Sequence, residues 1–144
     1  MAADTPLVVL DTNAALDWLV FADPRIQPLV ESLQAGRLRL VACPAMRQEL
    51  AHMLGHASLA RWSPDAAAAL AQFDRLAEIS ATPVTNPQIG LRCRDTDDQV
   101  FIDLALAQGA RWLLTHDRAL LKLARRAAAK GLHILRPANW TLQT

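Results

Sequence analysis

Two short apolar runs, Leu7-Val8-Val9-Leu10 and Trp112-Leu113-Leu114-Thr115, each deliver an aspartate almost at once: Asp11 directly after the first, Asp117 two residues after the second. Runs this short and this uniformly apolar mark strands buried on both faces, as in a parallel sheet. Between them, helix-period segments alternate with further strand signals, which predicts an α/β fold with helices on both faces of a mostly parallel sheet. At 144 residues the chain is long enough for one such domain and too short for two, so residues 1–144 are read as a single domain. In open α/β sheets ligands bind at the carboxyl edge of the strands. The two aspartates fall at that edge.

The remaining elements follow from local signals. Pro24 to Ala35 reads as a helix closed by Gly36, and Leu38 to Ala42 as the second strand. Pro44 to His56 is predicted helical, with Pro44 acceptable at its first position and Met46, Leu50, Met53 and Leu54 as its apolar stripe. Ser63-Pro64-Asp65 starts an Ala-rich helix expected to reach about Glu78, and Ile79 to Leu91 reads as a short strand plus a loop. Thr96 to Gln108 is a helix stopped by Gly109. Asp117 to Lys130 is a helix stopped by Gly131, and Leu132 to Leu135 an edge strand.

Two more acids share the address of Asp11 and Asp117. Glu49 lies on the helix after the second strand, flanking its apolar stripe, and Asp98 opens the helix from Thr96. At about 100° per residue, Ile102 and Ala105 fall on the face of Asp98, whereas Asp103 points about 140° away and is assigned to the solvated face. Carboxylates gathered at one edge repel one another and resist ionisation unless a cation compensates them. Oxygen donors without a matching Lys suit a hard divalent ion, Mg²⁺ or Mn²⁺.

Each acid also has a plain structural reading. Asp11 and Asp117 are good helix N-caps. Thr96 and Gln99 have capping-box spacing, and acids in a first turn suit the helix dipole. Asp95-Thr96-Asp97-Asp98 nevertheless places three carboxylates in four residues, more than one helix end needs. His52 and His56, four apart, raise the question of zinc. They lack a third ligand and the Glu that usually follows the first His, and read as surface histidines. The chain has no phosphate-binding glycine loop and no Gly-x-Ser-x-Gly elbow.

Taken in order, Val9-Leu10-Asp11-Thr12-Asn13, Arg47-Gln48-Glu49-Leu50, Arg94-Asp95-Thr96-Asp97-Asp98 leading into Phe101-Ile102-Asp103-Leu104-Ala105, and Leu114-Thr115-His116-Asp117 resemble the successive motifs of PIN-domain proteins. The resemblance spans about residues 7–136 and is nearest to the bacterial group described as toxin components of toxin–antitoxin systems. It implies a Rossmann-like, three-layer α/β/α sandwich and Mg²⁺- or Mn²⁺-dependent endonucleolytic cleavage of single-stranded RNA. Asp11, Glu49, Asp98 and Asp117 match the family's metal-binding, catalytic acids, with Asp95 or Asp97 assisting. Asn13 and Thr115 match positions that orient the carboxylates. His116 stands where a small residue or Asn is common. An antitoxin protein is an implied partner, and a housekeeping RNA-processing role is the alternative to a toxin.

Phosphodiester hydrolysis needs an activated water, charge stabilisation and help for the leaving oxygen. Carboxylate-held divalent ions, usually two about 4 Å apart, supply all three. No side-chain nucleophile is then required. Arg47, Arg94 and Arg118 are candidates for flanking phosphates. The basic residues are 13 Arg and 2 Lys, and Arg suits two-pronged phosphate contacts, although the net charge is only +1. A haloalkanoate-dehalogenase-like phosphatase fits less well. Such enzymes need a second Asp where this chain has Asn13, and a mid-chain Lys, while the only lysines here are Lys122 and Lys130.

The longest stretch without a charged residue, Ile79 to Leu91, is too short to span a membrane. No secretory leader is read, so the expected place is the cytoplasm, with Cys43 and Cys93 reduced and structural. Trp18, Phe21 and Trp62 either complete the core or form an apolar patch, and the latter reading predicts a homodimer through the first two helices with the acidic edge left open.

Overall fold

The computed structural model describes residues 4–84 and 90–144. Five strands, β1 (Leu7–Leu10), β2 (Arg39–Ala42), β3 (Ala77–Ile79), β4 (Trp112–Leu114) and β5 (His133–Leu135), form one sheet in the order β3-β2-β1-β4-β5. Every adjacent pair is parallel. Val8, Val9, Leu40, Leu113 and Leu114 have no exposed surface, as strands covered on both faces require. Each such side chain contributes about 1.5–3 kcal/mol through burial.

The strand order turns around between β1 and β4. The chain goes outward from β1 through β2 to β3, then crosses back to β4 and on to β5. Right-handed crossovers put α1 (Thr12–Leu19), α2 (Gln27–Gln34), α3 (Pro44–Leu54) and α4 (Ala66–Leu76) on one face. The same rule puts α5 (Gln99–Gln108), α6 (Arg118–Leu121) and α7 (Ala124–Ala128) on the other. Packing of α1 against α3 and α4, and of α5 on β1 and β4, follows this division. The result is the three-layer α/β/α sandwich with a parallel sheet that the sequence predicted.

Boundaries differ where long-range contacts override local preference. The Ala-rich helix stops at Leu76, short of Glu78, because residues 77–79 pair with β2 and Glu78 takes a two-pronged hydrogen bond from Arg39. The strand expected within residues 79–91 is therefore centred earlier, and residues 85–89 of that stretch lie outside the described residues. The predicted helix from Asp117 to Lys130 is two helices. A tighter turn, closed by the Leu123 amide on the Leu120 carbonyl, keeps Leu120, Leu123 and Ala127 on one buried side. Gly109, at φ +65°, ends α5 as expected.

Two other expectations are corrected. Trp18 belongs to the core, 5% exposed and packed near Phe73. Phe21 is half-buried and meets Trp62 edge-on, and of the three aromatics Trp62 alone is exposed. Asp103 is half-buried and accepts a hydrogen bond from Gln99 Nε2 at 3.0 Å, so it does not stand on an open solvated face. Among the described residues no helix is long and apolar enough to cross a membrane.

Candidate active site

A cleft of about 190 Å³ opens where the strand order reverses, lined by Asp11, Thr12, Asn13, Glu49, Met53, Asp98, Phe101 and Asp117. This is the switch-point position at which open α/β sheets bind ligands. All four principal acids read from the sequence meet there. Among the described residues no Lys or Arg lines it.

Strand register explains how Asp11 is held. Leu10 pairs with Leu114, so the next residues, Asp11 and Thr115, are neighbours across the β1–β4 ladder. The Thr115 hydroxyl donates to Asp11 Oδ2, while Ala14 N donates to Oδ1 at 2.8 Å. Asp11 therefore caps α1 and also presents a carboxylate to the cleft. Thr115 is fully buried, and its Oγ1 accepts from the Asp117 amide at 2.9 Å. One hydroxyl thus couples the two acids at the strand ends. Thr115→Val keeps the shape but removes both bonds in a buried place. It is expected to cost about 1–3 kcal/mol in urea unfolding, with Thr115→Ser restoring most of the loss.

Asp117 caps α6, accepting from Ala119 N at 2.7 Å. Asp95 accepts from Asp97 N at 3.0 Å and caps the 3₁₀ turn Thr96–Asp98. These local bonds fix the orientation of both carboxyls. One carboxylate oxygen from each of Asp95, Asp98 and Asp117 lies within 4.8 Å of the others. Asp95, itself exposed, thus joins the cluster, whereas Asp97 stays out of it and supplies the capping amide. Glu49 reaches the cleft from α3, its Oε2 accepting from Thr12 Oγ1 at 2.9 Å.

The electrostatics are those of crowded like charges. Asp98 is pushed up to about 7, first by burial, then by the facing Asp117 carboxyl and the charges of Asp117, Asp95 and Asp11. Its Oδ2 is buried with no donor. Two ionised carboxylates cannot hydrogen-bond each other, so Asp98 and Asp117 share a bond only when one carries a proton. Asp11 is also raised, chiefly by burial, with the Thr115 and Ala14 hydrogen bonds opposing. An orphaned carboxylate oxygen among hard oxygen donors fits a divalent cation of the Mg²⁺ or Mn²⁺ type. The zinc reading finds no such support. His56 Nδ1 accepts from Ser58 N and caps a surface turn, and neither His52 nor His56 belongs to a metal-capable group among the described residues.

Several sequence expectations shift here. Asn13 lines the cleft but makes no hydrogen bond to the acids among the described residues, and Thr12 does that work for Glu49. Arg47 is committed to Asp74 through two bonds of 2.8 and 2.7 Å, so its charge is already answered. Arg94 and Arg118 are exposed beside Asp95 and Asp117. The capping box of Thr96 and Gln99 does not form. Gln99 instead accepts from Cys93 N at 2.6 Å and donates to Leu91 O, which ties the approach to Asp95 onto α5. The Cys93 thiol is pushed up by burial and then by the neighbouring acids, so it holds no nucleophilic thiolate near neutral pH.

Asp17, only 9% exposed, contacts His116 Nε2 through Oδ2 at 2.5 Å and fastens the turn between Thr115 and Asp117 to α1. Sequence reasoning missed this pair, and also Thr12 and Gln99. The partners of Asp17 and Thr12 lie 99 and 37 residues away, where no local pattern points to them.

The sequence model described as PIN domain matches residues 7–119. The chain belongs to the PIN domain family. Among curated proteins none matches it. PIN domains are generally nucleases, and the matched span of this PIN domain contains all five clustered or cleft-lining acids: Asp11, Glu49, Asp95, Asp98 and Asp117.

Proposed function

We propose that this PIN domain, taken as one unit over residues 1–144, is an endoribonuclease that cleaves single-stranded RNA with Mg²⁺ or Mn²⁺. The observation that carries the reading is the convergence of acids at the switch point, with the Asp98 oxygen buried and unpartnered. Asp95, Asp98 and Asp117 would hold the ion, with Asp11 and Glu49 completing the site. Bound there, a divalent ion supplies charge neutralisation for the phosphate and lowers the pKa of a water. The protein's own groups do the positioning: Thr115 fixes Asp11, Thr12 fixes Glu49, and Arg94 and Arg118 stand where flanking phosphates would pass.

The family resemblance further supports a cytoplasmic toxin of a toxin–antitoxin pair, working as a homodimer with an antitoxin protein as partner. A housekeeping RNA-processing nuclease would use the same site. Toxicity on expression, relieved by a small neighbouring gene with a DNA-binding signature, separates the two. The second reading is a binding module without catalysis, and it is decided directly. Pure protein is expected to cut a labelled single-stranded RNA with Mg²⁺ or Mn²⁺ and to stop when EDTA is added. Intact RNA under every metal condition, with binding retained, would establish the silent module instead.

A further inference from the structure

After Asp117 the chain contains no acidic residue, yet its last 27 residues carry six cations: Arg118, Lys122, Arg125, Arg126, Lys130 and Arg136. Arginines of the first half are largely answered: Arg25 pairs with Asp23, Arg39 with Glu78 and Arg47 with Asp74. The cations on α6 and α7 have no acidic partner among the described residues. Position along the helices sorts them. The Lys122 amide bonds the Arg118 carbonyl at 3.0 Å, one full turn, and Arg118, Lys122 and Arg125 are all exposed. Leu120, Leu123 and Ala127 take the buried side. Arg126 points beside them and donates to the Gly90 carbonyl, which seats the loop bearing exposed Arg92 and Arg94 against α7.

From this arrangement we infer that Arg118, Lys122 and Arg125, flanked by Arg92 and Arg94, form a track for the phosphate backbone of the RNA strand as it leaves the acidic cleft. The track starts at Arg118, next to Asp117, and runs on the order of 10 Å along α6 and the start of α7 at about 1.5–2 Å per residue. Two or three consecutive phosphates fit that length. Cations without acidic partners are the ones that release counterions on meeting phosphate. The acids at the cleft repel the same backbone, so the track supplies the attraction that brings the strand to the site.

This inference rests on the ribonuclease reading for its substrate, but its test does not depend on cleavage. Binding of a labelled oligouridine of about 12 nucleotides is measured by anisotropy in EDTA, across a salt series. The variants are K122Q/R125Q and, as a control on the opposite layer, R37Q/R75Q, exposed cations outside the track. K122Q/R125Q is expected to raise Kd about tenfold at 0.1 M salt and to flatten the log K against log salt slope by about 1.4. R37Q/R75Q is expected to leave both at the wild-type values. Wild-type binding by K122Q/R125Q, an equal loss in R37Q/R75Q, or tighter binding of anionic phospholipid vesicles than of RNA would each overturn the track. Wild-type protein that never cuts the strand with Mg²⁺ or Mn²⁺, while K122Q/R125Q alone loses binding, overturns the nuclease reading and upholds the track. Cleavage with unaltered binding by K122Q/R125Q does the reverse.

Discussion

Asp98→Asn is expected to make the metal-free protein melt higher at pH 8 while lowering RNA cleavage by about a thousandfold. Both effects come from one removed charge. In the folded protein Asp98 is raised to about 7, so at pH 8 it is held ionised beside Asp117 and Asp95 against their repulsion and its own burial. An amide relieves that repulsion and can donate to Asp117, where the native oxygen has no partner. The same change removes a hard oxygen ligand. Charge stabilisation by a bound ion is worth several kcal/mol, and about 1.36 kcal/mol is a factor of ten in rate. Asp11→Asn should abolish cleavage likewise while preserving the cap on α1. A variant that loses activity and also melts lower at pH 8 would assign Asp98 a structural role, and full activity in either variant would remove that residue from the site.

The second large effect is a joint response to pH and metal. A carboxyl whose folded pKa is raised contributes relative stability below its unfolded value, near 4, and loses it as pH rises through the folded value. For Asp98 that loss is complete only above about 7. The carboxyls lowered by arginine partners, Asp74 and Glu78, vary only at more acidic pH, so they are flat between pH 5.5 and 8. Metal-free protein should therefore melt lower at pH 8 than at pH 5.5. Mg²⁺ or Mn²⁺ at about 100 times its Kd adds about 2.7 kcal/mol at pH 8, on the order of 8 °C in Tm for a chain of this size. At pH 5.5 the gain shrinks because protons compete for the same oxygens. Scanning calorimetry at the two pH values, with and without ion, checks both signs. Equal gains at both would mean that the ion binds away from Asp98.

Much of this site was visible in the chain because its acids sit next to the signals that define the strands. Asp11 and Asp117 follow apolar runs whose length and composition announce buried strands, and the parallel sheet then brings their ends together. Glu49 was visible through the stripe of its helix. The choice between Asp95 and Asp97 was not, since both precede the same helix. In the structure Asp95 and not Asp97 lies in the carboxylate cluster, where it caps the 3₁₀ turn to which Asp97 lends its amide. The Arg47–Asp74 and Asp17–His116 pairs join segments that meet only through tertiary packing. The end of α4 eluded local reading for the same reason, because the partner strand, and not the propensity of Ala77–Ile79, makes that segment extended.

The two halves of the cleft are attached to the protein by unlike means. Asp11 is bonded through its own amide to the Leu114 carbonyl, at the centre of the sheet. Asp98 belongs to a three-residue turn outside it, which Asp95 caps. Amide hydrogens of the first half should exchange only when the whole protein opens, and those of the turn through small local excursions. The site can then be dismantled and rebuilt many times within the lifetime of one folded molecule. A partner that prises away the turn alone would break up the acidic cluster without unfolding the protein.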